Sequence, residues 1–408
     1  MQIYLVGGAV RDALLGLPVT DRDWVVVGAT PQALIAQGYL PVGKDFPVFL
    51  HPKTKEEYAL ARTERKTAPG YHGFAIHAAP DVTLEEDLAR RDLTINSVAI
   101  SADNIRADGT FNHNSRQTTE VLVDPFGGRQ DIADKVLRHV TPAFREDPVR
   151  ILRLARFAAR FADFSVAPPT MALMRDMVQH GEVDHLVAER VWQELARGLM
   201  EAQPSRMLTV LRDCGALARL LPEVDRLWGV AQALELGSDA SSSSGVHLMR
   251  VLDMAARLGA GLAVRFACLT HDLGAPSANL LKSICERLRV PTACRELAEV
   301  VAREHRNIHR SGELGAAALV RLLERCDAFR KPQRLSEVLL ACECDARGRP
   351  GLTESPYAPG PRLLAALSAA QQIATHLIAE QAVDTGASGK NIGELIHLAR
   401  VQAVQASL

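Results

Sequence analysis

The stretch from Leu5 to Asp23, LVGGAVRDALLGLPVTDRD, decides the fold of the first part of this chain. A double glycine ends one short apolar run, and two aspartates one residue apart, Asp21 and Asp23, open the next. Glycines after a strand let backbone N–H groups approach a phosphate, and the positive end of the following helix points to the same place. Residues i and i+2 of a strand face one side, so both carboxylates are predicted to point the same way.

Two carboxylates beside a phosphate-binding turn suit magnesium-assisted phosphoryl or nucleotidyl transfer, because Mg²⁺ prefers oxygen ligands. A double glycine on its own is more often an ordinary turn. An Asp-x-Asp on its own is more often a solvated loop or a helix cap. The two features at this spacing and in this order favour the catalytic interpretation.

The composition limits the domain count and the class of protein. With 408 residues and about 150 residues per domain, roughly three domains are expected. The formal net charge is −1, so local basic stripes would have to hold any nucleic acid. Neither a secretory leader nor an apolar run of bilayer length is recognisable, which predicts a cytoplasmic protein with no membrane partner. The seven cysteines are scattered and are expected to be reduced and mostly buried.

The chain changes character after its first third. Before that point, short strand-like runs alternate with helical patterns such as Pro31–Gln37 and Leu84–Arg90. Beyond about Pro148, Ala, Leu, Arg and Glu recur at helical spacing, so the remainder is expected to be all-helical. Residues 101–120 are expected to form a polar excursion, and the serine-rich stretch 237–245 a flexible link whose role stays open.

A second group of polar residues lies within residues 85–100, EEDLARRDLTINSVAI. Arg91, Asp92 and Asn96 fall near the end of a predicted helix and just before an apolar strand. Arginine offers a planar fork to a phosphate or a base edge, and Asp and Asn can hold ribose hydroxyls. The alternative is a helix C-terminus whose arginines only favour the helix dipole.

A third group, residues 145–161, REDPVRILRLARFAARF, predicts an amphipathic helix that Asp147 caps and Pro148 begins. The predicted buried stripe of this helix consists of Ile151, Leu154, Ala155, Ala158 and Phe161. A separate basic face carries Arg150, Arg153, Arg156 and Arg160. Few acidic residues lie nearby, so this face is expected to offer positive charge to a triphosphate or an RNA backbone, although such faces are more often simply solvated.

The motifs GGAVRD, DRD, RRDLTIN and EDPVRILRLARF, in this order, resemble the signature of class II CCA-adding enzymes, bacterial tRNA nucleotidyltransferases of the polymerase-β-like superfamily. The match is to the type with an appended HD domain; it covers about the first 230 residues and weakens beyond. The resemblance implies an α+β fold that begins with a mixed-sheet nucleotidyltransferase head. The implied parts are the head at 1–139, a helical neck at 140–228, an HD-like helical domain at 229–330 and a helical, tRNA-binding tail at 331–408.

The resemblance also implies roles for the matching residues. Asp21 and Asp23 would be the catalytic ligands of a two-Mg²⁺ site. The implied nucleotide-binding set is Gly8, Arg11, Arg91, Asp92, Asn96, Asp147, Arg150 and Arg153. Within that set, Asp147 and Arg150 would read the Watson–Crick edge of CTP or ATP. The segment DPFGG at 124–128 matches a flexible hinge linked to the switch from C to A addition.

The implied reaction adds or repairs the 3′-terminal CCA of tRNA from CTP and ATP without a template, with release of pyrophosphate. The tRNA would be held at its 3′ end through the acceptor stem and elbow, by backbone and duplex shape. The sequence leaves open whether the protein is a monomer or a homodimer and whether a third carboxylate assists the metals.

The HD region departs from the family pattern. His247, His271 and Asp272 would be its ligands, as in metal-dependent phosphohydrolases. Ala275 stands where active members tend to carry Lys, a serine tract precedes His247, and the positions of His305 and His309 could not be matched. We therefore expect a degenerate site whose residues persist as hydrogen-bonding groups, with a second divalent metal only if the site is intact.

Three alternatives to full CCA addition stay open. The first is a relative of partial specificity, which would be a CC-adding enzyme, an A-adding enzyme or a poly(A) polymerase; the DPFGG segment favours full addition. The second is HD-domain 2′,3′-cyclic phosphodiesterase, 2′-nucleotidase or phosphatase activity, in addition to or instead of CCA addition. The third is a catalytically inactive tRNA-binding module, which the retained Asp21 and Asp23 argue against.

Overall fold

The computed structural model describes residues 1–42, 47–66, 74–106, 121–230, 243–273, 277–384 and 389–407. The chain divides into two compact units. The head unit comprises Met1–Val191 with Val210–Ala216, and the helical unit comprises Trp192–Thr209 with Leu217–Leu408. The four-part division expected from the sequence stays a prediction.

A mixed seven-stranded sheet forms the centre of the head unit, in the order β3-β4-β5-β2-β1-β8-β9. The strands are β1 (Gln2–Val6), β2 (Asp23–Val27), β3 (Leu40–Pro41), β4 (Val48–Leu50), β5 (Glu57–Leu60), β6 (Thr63–Lys66), β7 (Phe74–His77), β8 (Ala99–Ser101), β9 (Leu122–Val123), β10 (Val136–Leu137) and β11 (Ser165–Val166). Within the sheet β2 and β5 are parallel and the other neighbours antiparallel. β6 pairs with β7, and β10 pairs in parallel with β11. The expectation of an all-helical remainder is therefore wrong at Ser165–Val166.

Six α-helices in the described part of Met1–Val191 lie entirely within the head unit. These are α1 (Gly8–Leu14), α2 (Pro31–Ala36), α3 (Leu84–Ala89), α4 (Gly128–Ala133), α5 (Val149–Arg160) and α6 (Pro168–Gln179). The predictions for α2 and α3 are confirmed to within one residue. Side chains of α1 and α2 join a buried cluster with Leu5 and Trp24 of the sheet, and Leu88 of α3 joins a second cluster with Val6 and Val25. Because both faces of the sheet are covered, its central strands are almost continuously apolar.

Helix α5 begins one residue later than predicted. Pro148 has helical dihedral angles but stands before the first helical residue, while Asp147 is extended. The Oδ1 atom of Asp147 still accepts a hydrogen bond from the Val149 N–H at 3.2 Å, so Asp147 satisfies a donor of the first turn. All five residues of the predicted apolar stripe are buried.

The remaining helices continue from α7 to the end of the described chain. They are α7 (Ala188–Met200), α8 (Pro204–Asp213), α9 (Ala216–Leu220), α10 (Pro222–Asp225), α11 (Ser244–Arg257), α12 (Leu262–Thr270), α13 (Ser277–Arg287), α14 (Thr292–His309), α15 (Ala316–Arg325), α16 (Pro332–Arg347), α17 (Pro359–Gln371), α18 (Thr375–Asp384) and α19 (Gly389–Ser407). Among the described helices, none combines the length and apolar character that a membrane crossing requires. All seven cysteines are buried and free, as predicted.

Parts of three sequence predictions fall outside the described residues. Of the polar excursion 101–120, residues 101–106 are described and include a short 3-10 turn at Ala102–Asn104. Of the serine-rich stretch, 243–245 are described, and Ser243 caps α11 by accepting from the Val246 N–H at 3.3 Å. Ala275 lies outside the described residues.

Candidate functional site

The glycine turn after β1 lies beside the start of the aspartate strand. In the antiparallel register Val6 pairs with Asp23, so the chain reaches Gly7 just as β2 begins. Gly7 has φ +70°, a conformation that favours glycine, and a Cβ there would lie 3.0 Å from the Nη1 atom of Arg91. The pairing therefore brings the glycine turn, Asp23 and Arg91 together. Asp21 precedes β2, so the prediction that both aspartates lie on one strand is wrong for Asp21.

Asp21 and Asp23 are both exposed at this edge of the sheet. The pKa of Asp23 is raised, chiefly because the surrounding protein desolvates its carboxyl group. The charge of Arg91 offsets part of that rise, and the negative charge of Asp21 adds to it. The two carboxylates thus feel each other's charge, which a bound divalent cation would neutralise. The donor set fits Mg²⁺, because both groups supply hard oxygen ligands.

Arg91 is held from behind by a buried carboxylate. Its Nη2 atom lies 3.1 Å from Asp87 Oδ2, and Arg90 Nη2 lies 2.7 Å from Asp87 Oδ1. Burial alone would raise the pKa of Asp87, but the charges of Arg91 and Arg90 lower it. The Nε–H of Arg91 is buried and finds no acceptor among the described residues. That donor is one that a phosphate oxygen could satisfy.

Four of the predicted nucleotide-binding residues form one hydrogen-bonded chain. Arg11 Nη1 donates to Asn96 Oδ1 at 2.6 Å, and Asn96 Nδ2 donates to Asp92 Oδ1 at 3.0 Å. Arg153 Nε then donates to Asp92 Oδ2 at 2.8 Å. Burial opposes ionisation of Asp92, but Arg153 and Asn96 outweigh it and lower the pKa to about 2. Gly8 begins α1 next to this chain, and its Cβ position would lie 3.5 Å from Arg11 Nη2.

The basic face of α5 is less open than the sequence predicted. Arg150 and Arg156 are buried, and the guanidinium of Arg156 lies 4.5 Å from the ring centroid of Phe157. Arg160 forms an ion pair with Asp12 at 2.9 Å, and Arg153 pairs with Asp92. Arginine stems cover apolar surface while their heads find carboxylates, so much of the charge is neutralised within the head unit.

Asp147 and Arg150 are both held by fixed partners. Arg150 Nη1 donates to the carbonyl of Ala143 and Nη2 to the carbonyl of Arg90, each at 2.7 Å. Asp147 is gripped by Arg190, whose Nη1 donates to Oδ1 at 3.0 Å and Nη2 to Oδ2 at 2.7 Å. The sequence analysis missed Arg190, because nothing local relates the start of α7 to a residue 43 positions earlier.

A second cluster of chemistry-bearing residues lies in the helical unit. His247 Nε2 and His309 Nε2 each lie 2.7 Å from a carboxylate oxygen of Asp345, and His271 Nε2 lies 3.7 Å from Asp345 Oδ1. The ring centroids of His271 and His305 are 5.6 Å apart. These side chains come from α11, α14, α16 and the end of α12, so they converge from four helices.

The ligand atoms of His247, His271 and Asp345 lie within 4.8 Å of one another. Burial would raise the pKa of Asp345, but the charge of His271 and hydrogen bonds from His247, His271 and His309 lower it well below its ordinary value. The Nδ1 of His271 faces the Cys268 carbonyl at 2.8 Å, an arrangement that leaves Nε2 turned toward the cluster.

Asp345 was missed by the sequence analysis, and Asp272 does not join the close group. Asp272 is half-buried and its Oδ1 lies 3.4 Å from Arg306 Nη2. The signal for Asp345 was a carboxylate, one of two in the stretch ACECDA, at a position of α16 that is otherwise flanked by small apolar residues and cysteines; a carboxylate buried there needs partners. The ligand set is therefore more complete than the sequence analysis expected.

Comparison with known proteins identifies the family. A model of the poly A polymerase head domain matches residues 3–138, and one described as the probable RNA and SrmB-binding site of polymerase A matches residues 163–227. The Multifunctional CCA protein of Polaromonas naphthalenivorans (strain CJ2) is 66% identical over 100% of this chain and 98% of its own length. That of Acidovorax ebreus (strain TPSY) is 65% identical over 99% of this chain and 96% of its own length.

Solved structures share the fold. A CCA-adding enzyme in its apo form II has a TM-score of 0.68 at 21% identity, covering 99% of this chain and 88% of that one. The Thermotoga maritima CCA-adding enzyme complexed with tRNA has a TM-score of 0.65 at 21% identity, covering 100% and 88%. The identity to the curated relatives over the full length decides the assignment. The chain belongs to the class II CCA-adding enzymes, a family of tRNA nucleotidyltransferases.

Proposed function

We propose that this chain adds and repairs the 3′-terminal CCA of tRNA from CTP and ATP, without a nucleic-acid template. The observation that carries the proposal is the position of Asp23 beside the glycine turn and Arg91, with Asp21 near enough for its charge to raise the pKa of Asp23. The reaction joins the tRNA 3′-oxygen to the α-phosphorus and breaks the bond to the β-phosphate, so pyrophosphate leaves. We infer a cytoplasmic location from this reaction, because tRNA, CTP and ATP are found together in the cytoplasm.

Each side of the head site has a separate task. Asp21 and Asp23 would hold two Mg²⁺ ions, which lower the pKa of the tRNA terminal hydroxyl and stabilise the leaving pyrophosphate when bound. The N–H groups of Arg91, together with the backbone N–H groups where the glycine turn leads into α1, would bind the triphosphate oxygens. Asp92 and Asn96, fixed by their hydrogen-bonded chain, would orient the ribose.

Base choice needs a donor and an acceptor at fixed positions. Asp147, as a carboxylate, only accepts hydrogen bonds, and Arg150 only donates. Cytosine and adenine both present an amino donor where uracil and guanine present a carbonyl acceptor. The partners of Asp147 and Arg150 hold both side chains to the backbone and to Arg190, which supports a protein template in place of a nucleic-acid one.

The direct test incubates the full-length protein with Mg²⁺, a tRNA ending before its CCA, and labelled CTP and ATP. We expect two C and one A to be added. Asp21→Ala should slow incorporation by about 1000-fold, since loss of metal-held charge costs several kcal/mol. Asp81→Ala is the matched control, because its side chain is 84% exposed and its one ion-pair partner among the described residues is His77 at 4.0 Å.

Other products would redirect the proposal within the family. Addition of C alone, of A alone or of a run of A would identify a CC-adding enzyme, an A-adding enzyme or a poly(A) polymerase. No incorporation, with Asp21→Ala indistinguishable from the natural chain, rejects the proposal.

The histidine cluster favours a second candidate function, metal-dependent phosphohydrolysis. His247, His271 and Asp345 would hold a divalent transition metal, because imidazole nitrogens with one carboxylate suit such ions. The buried Nδ1 of His247 has no partner among the described residues, as in a side chain whose orientation an ion would fix. When bound, the ion would polarise a phosphate ester and activate water for attack.

Metal binding and hydrolysis are tested together. Mn²⁺ or Ni²⁺ should raise the unfolding temperature of the natural chain, since ligands of the folded state stabilise it. The rise should be lost in His271→Ala and kept in the control His185→Ala, whose imidazole is exposed. Opening of a 2′,3′-cyclic nucleotide to its monophosphate, and phosphate release from a 2′-nucleotide, should likewise be lost in His271→Ala and kept in His185→Ala. Equal metal responses in both variants would exclude this cluster.

A further inference from the structure

Arg190 contacts Asp147, a predicted nucleotide-binding residue, although Arg190 itself lies outside the family motifs quoted above. It lies in the first turn of α7, and its guanidinium meets Asp147 with two parallel N–H···O bonds of 3.0 and 2.7 Å. Both side chains are half-buried, with 26% of Arg190 and 18% of Asp147 exposed. A bidentate pair of this kind fixes the plane of the carboxylate as well as its charge.

The acceptor capacity of Asp147 is nearly used. A carboxylate offers about four lone-pair sites. Arg190 occupies two of them, and the Val149 N–H occupies one at 3.2 Å. About one site is left for a further donor, and the part of the carboxylate that remains exposed keeps it reachable.

We propose that Arg190 is the positioning residue of the protein template: it fixes Asp147 as a single, oriented acceptor that fits an amino group and repels a carbonyl. The inference rests on the proposed function, in which Asp147 faces the base. With Arg190 in place, the carboxylate cannot rotate its oxygens away from a carbonyl of uracil or guanine. Rejection of the wrong base then follows from an acceptor facing an acceptor.

A purely structural role would leave a different signature. If Arg190 only tied α7 to the turn before α5, its loss would lower stability and slow incorporation of every nucleotide alike. A positioning role changes the ratio between nucleotides. Lysine keeps the positive charge but lacks the planar fork, so it separates charge from orientation.

The experiment measures kcat/KM for CTP and, separately, for UTP on a tRNA ending before its CCA. Arg190→Gln should lower the CTP/UTP ratio by about tenfold or more, the low end of what a charge-assisted hydrogen bond contributes. Arg190→Lys should give an intermediate ratio. The KM for tRNA should stay within about twofold, because Arg190 holds a side chain and not the RNA backbone.

Arg197→Gln is the matched control on the same helix, since its side chain is 56% exposed and its distance to Glu194 is 4.0 Å. It should leave the ratio unchanged. An unchanged ratio in Arg190→Gln or, should that variant fail to fold, in Arg190→Lys overturns the inference, as does equal slowing with CTP and UTP. Absence of CTP incorporation by the natural chain would instead defeat the proposed function.

Discussion

Gly128, the first residue of α4, has no room for a side chain. A Cβ there would lie 2.6 Å from Val98 Cγ2 and closer still to the carbonyl oxygen of Thr94. Carbon atoms in contact are about 3.5 Å apart, so an alanine would push α4 and the Thr94–Asn96 turn apart by about 1 Å. That turn carries Asn96, the central member of the Arg11–Asn96–Asp92 chain.

Gly128→Ala should therefore damage both stability and catalysis. Overpacking costs about 1–3 kcal/mol, and we expect the upper part of that range because backbone atoms are involved. Alanine is intrinsically the better helix residue by about 1 kcal/mol, so a net loss would show that the contact decides. A displacement of about 1 Å in a positioning group can slow a reaction by about 100-fold, which is the expected drop in CTP incorporation.

Gly127→Ala is the matched control, because alanine is unfavourable at this neighbouring position for a different reason, the backbone conformation and not a lack of space. Gly127 has φ +74°, and no atom of the described residues lies within 4 Å of its Cβ position. Its alanine variant should lose about 1–2 kcal/mol through backbone strain alone and slow incorporation far less. Urea unfolding followed by circular dichroism and single-turnover incorporation measure both effects. Equal losses in the two variants, or a natural rate in Gly128→Ala, would refute the reasoning.

Three further changes have defined outcomes. Asp92 has a pKa of about 2 against an ordinary 3.8, so its ionised form stabilises the fold above pH 4 by about 2 kcal/mol. In urea unfolding, the free energy of unfolding of the natural chain should exceed that of Asp92→Asn at pH 4, and this difference should be lost as the pH falls from 4 to 2. Asp23 has a raised pKa, so its negative charge opposes folding above pH 4. Asp23→Asn should therefore abolish incorporation yet raise the unfolding temperature at pH 7 by about 1–2 °C. A lower unfolding temperature in this variant would contradict the expected effect of the charge. Arg150→Ala should relax the preference for CTP and ATP over GTP and UTP more than it weakens tRNA binding, and an unchanged preference in competition assays would count against a template role.

The head site was predictable where one pairing of consecutive strands, β1 with β2, brings its residues together. Asp23 lies 16 positions beyond Gly7, and the antiparallel pairing of Val6 with Asp23 brings the two together. The helical stripe of α5 was equally predictable, because burial follows the helical period. Both inferences needed only local geometry.

Contacts made by long side chains across the fold were not predictable. The guanidinium of Arg156 lies over the ring of Phe157, and Arg160 forms an ion pair with Asp12. Counting the arginines on a helix face therefore overstated the charge that is open to a ligand. Asp345 lies 74 residues beyond His271, and three helices, α13, α14 and α15, separate α12 from α16 along the chain. Only packing of the helical unit decides such pairs.

Arg11 and Arg153 hold the two polar side chains, Asn96 and Asp92, to which the proposed function gives the ribose. Arg11 is 3% exposed, lies 5.0 Å from the ring centroid of Phe157, and donates to Asn96 at 2.6 Å. Removing one partner from a buried ionic chain leaves an unpaired charge that costs about 3–5 kcal/mol, so each member is fixed by the others before a substrate arrives. Asp21 and Asp23 are exposed, and within the described residues neither is held by an arginine in an ion pair. In the proposed function, the hydrogen-bonded chain of Arg11, Asn96, Asp92 and Arg153 would orient the nucleotide before the reaction, and the two exposed carboxylates would hold the cation.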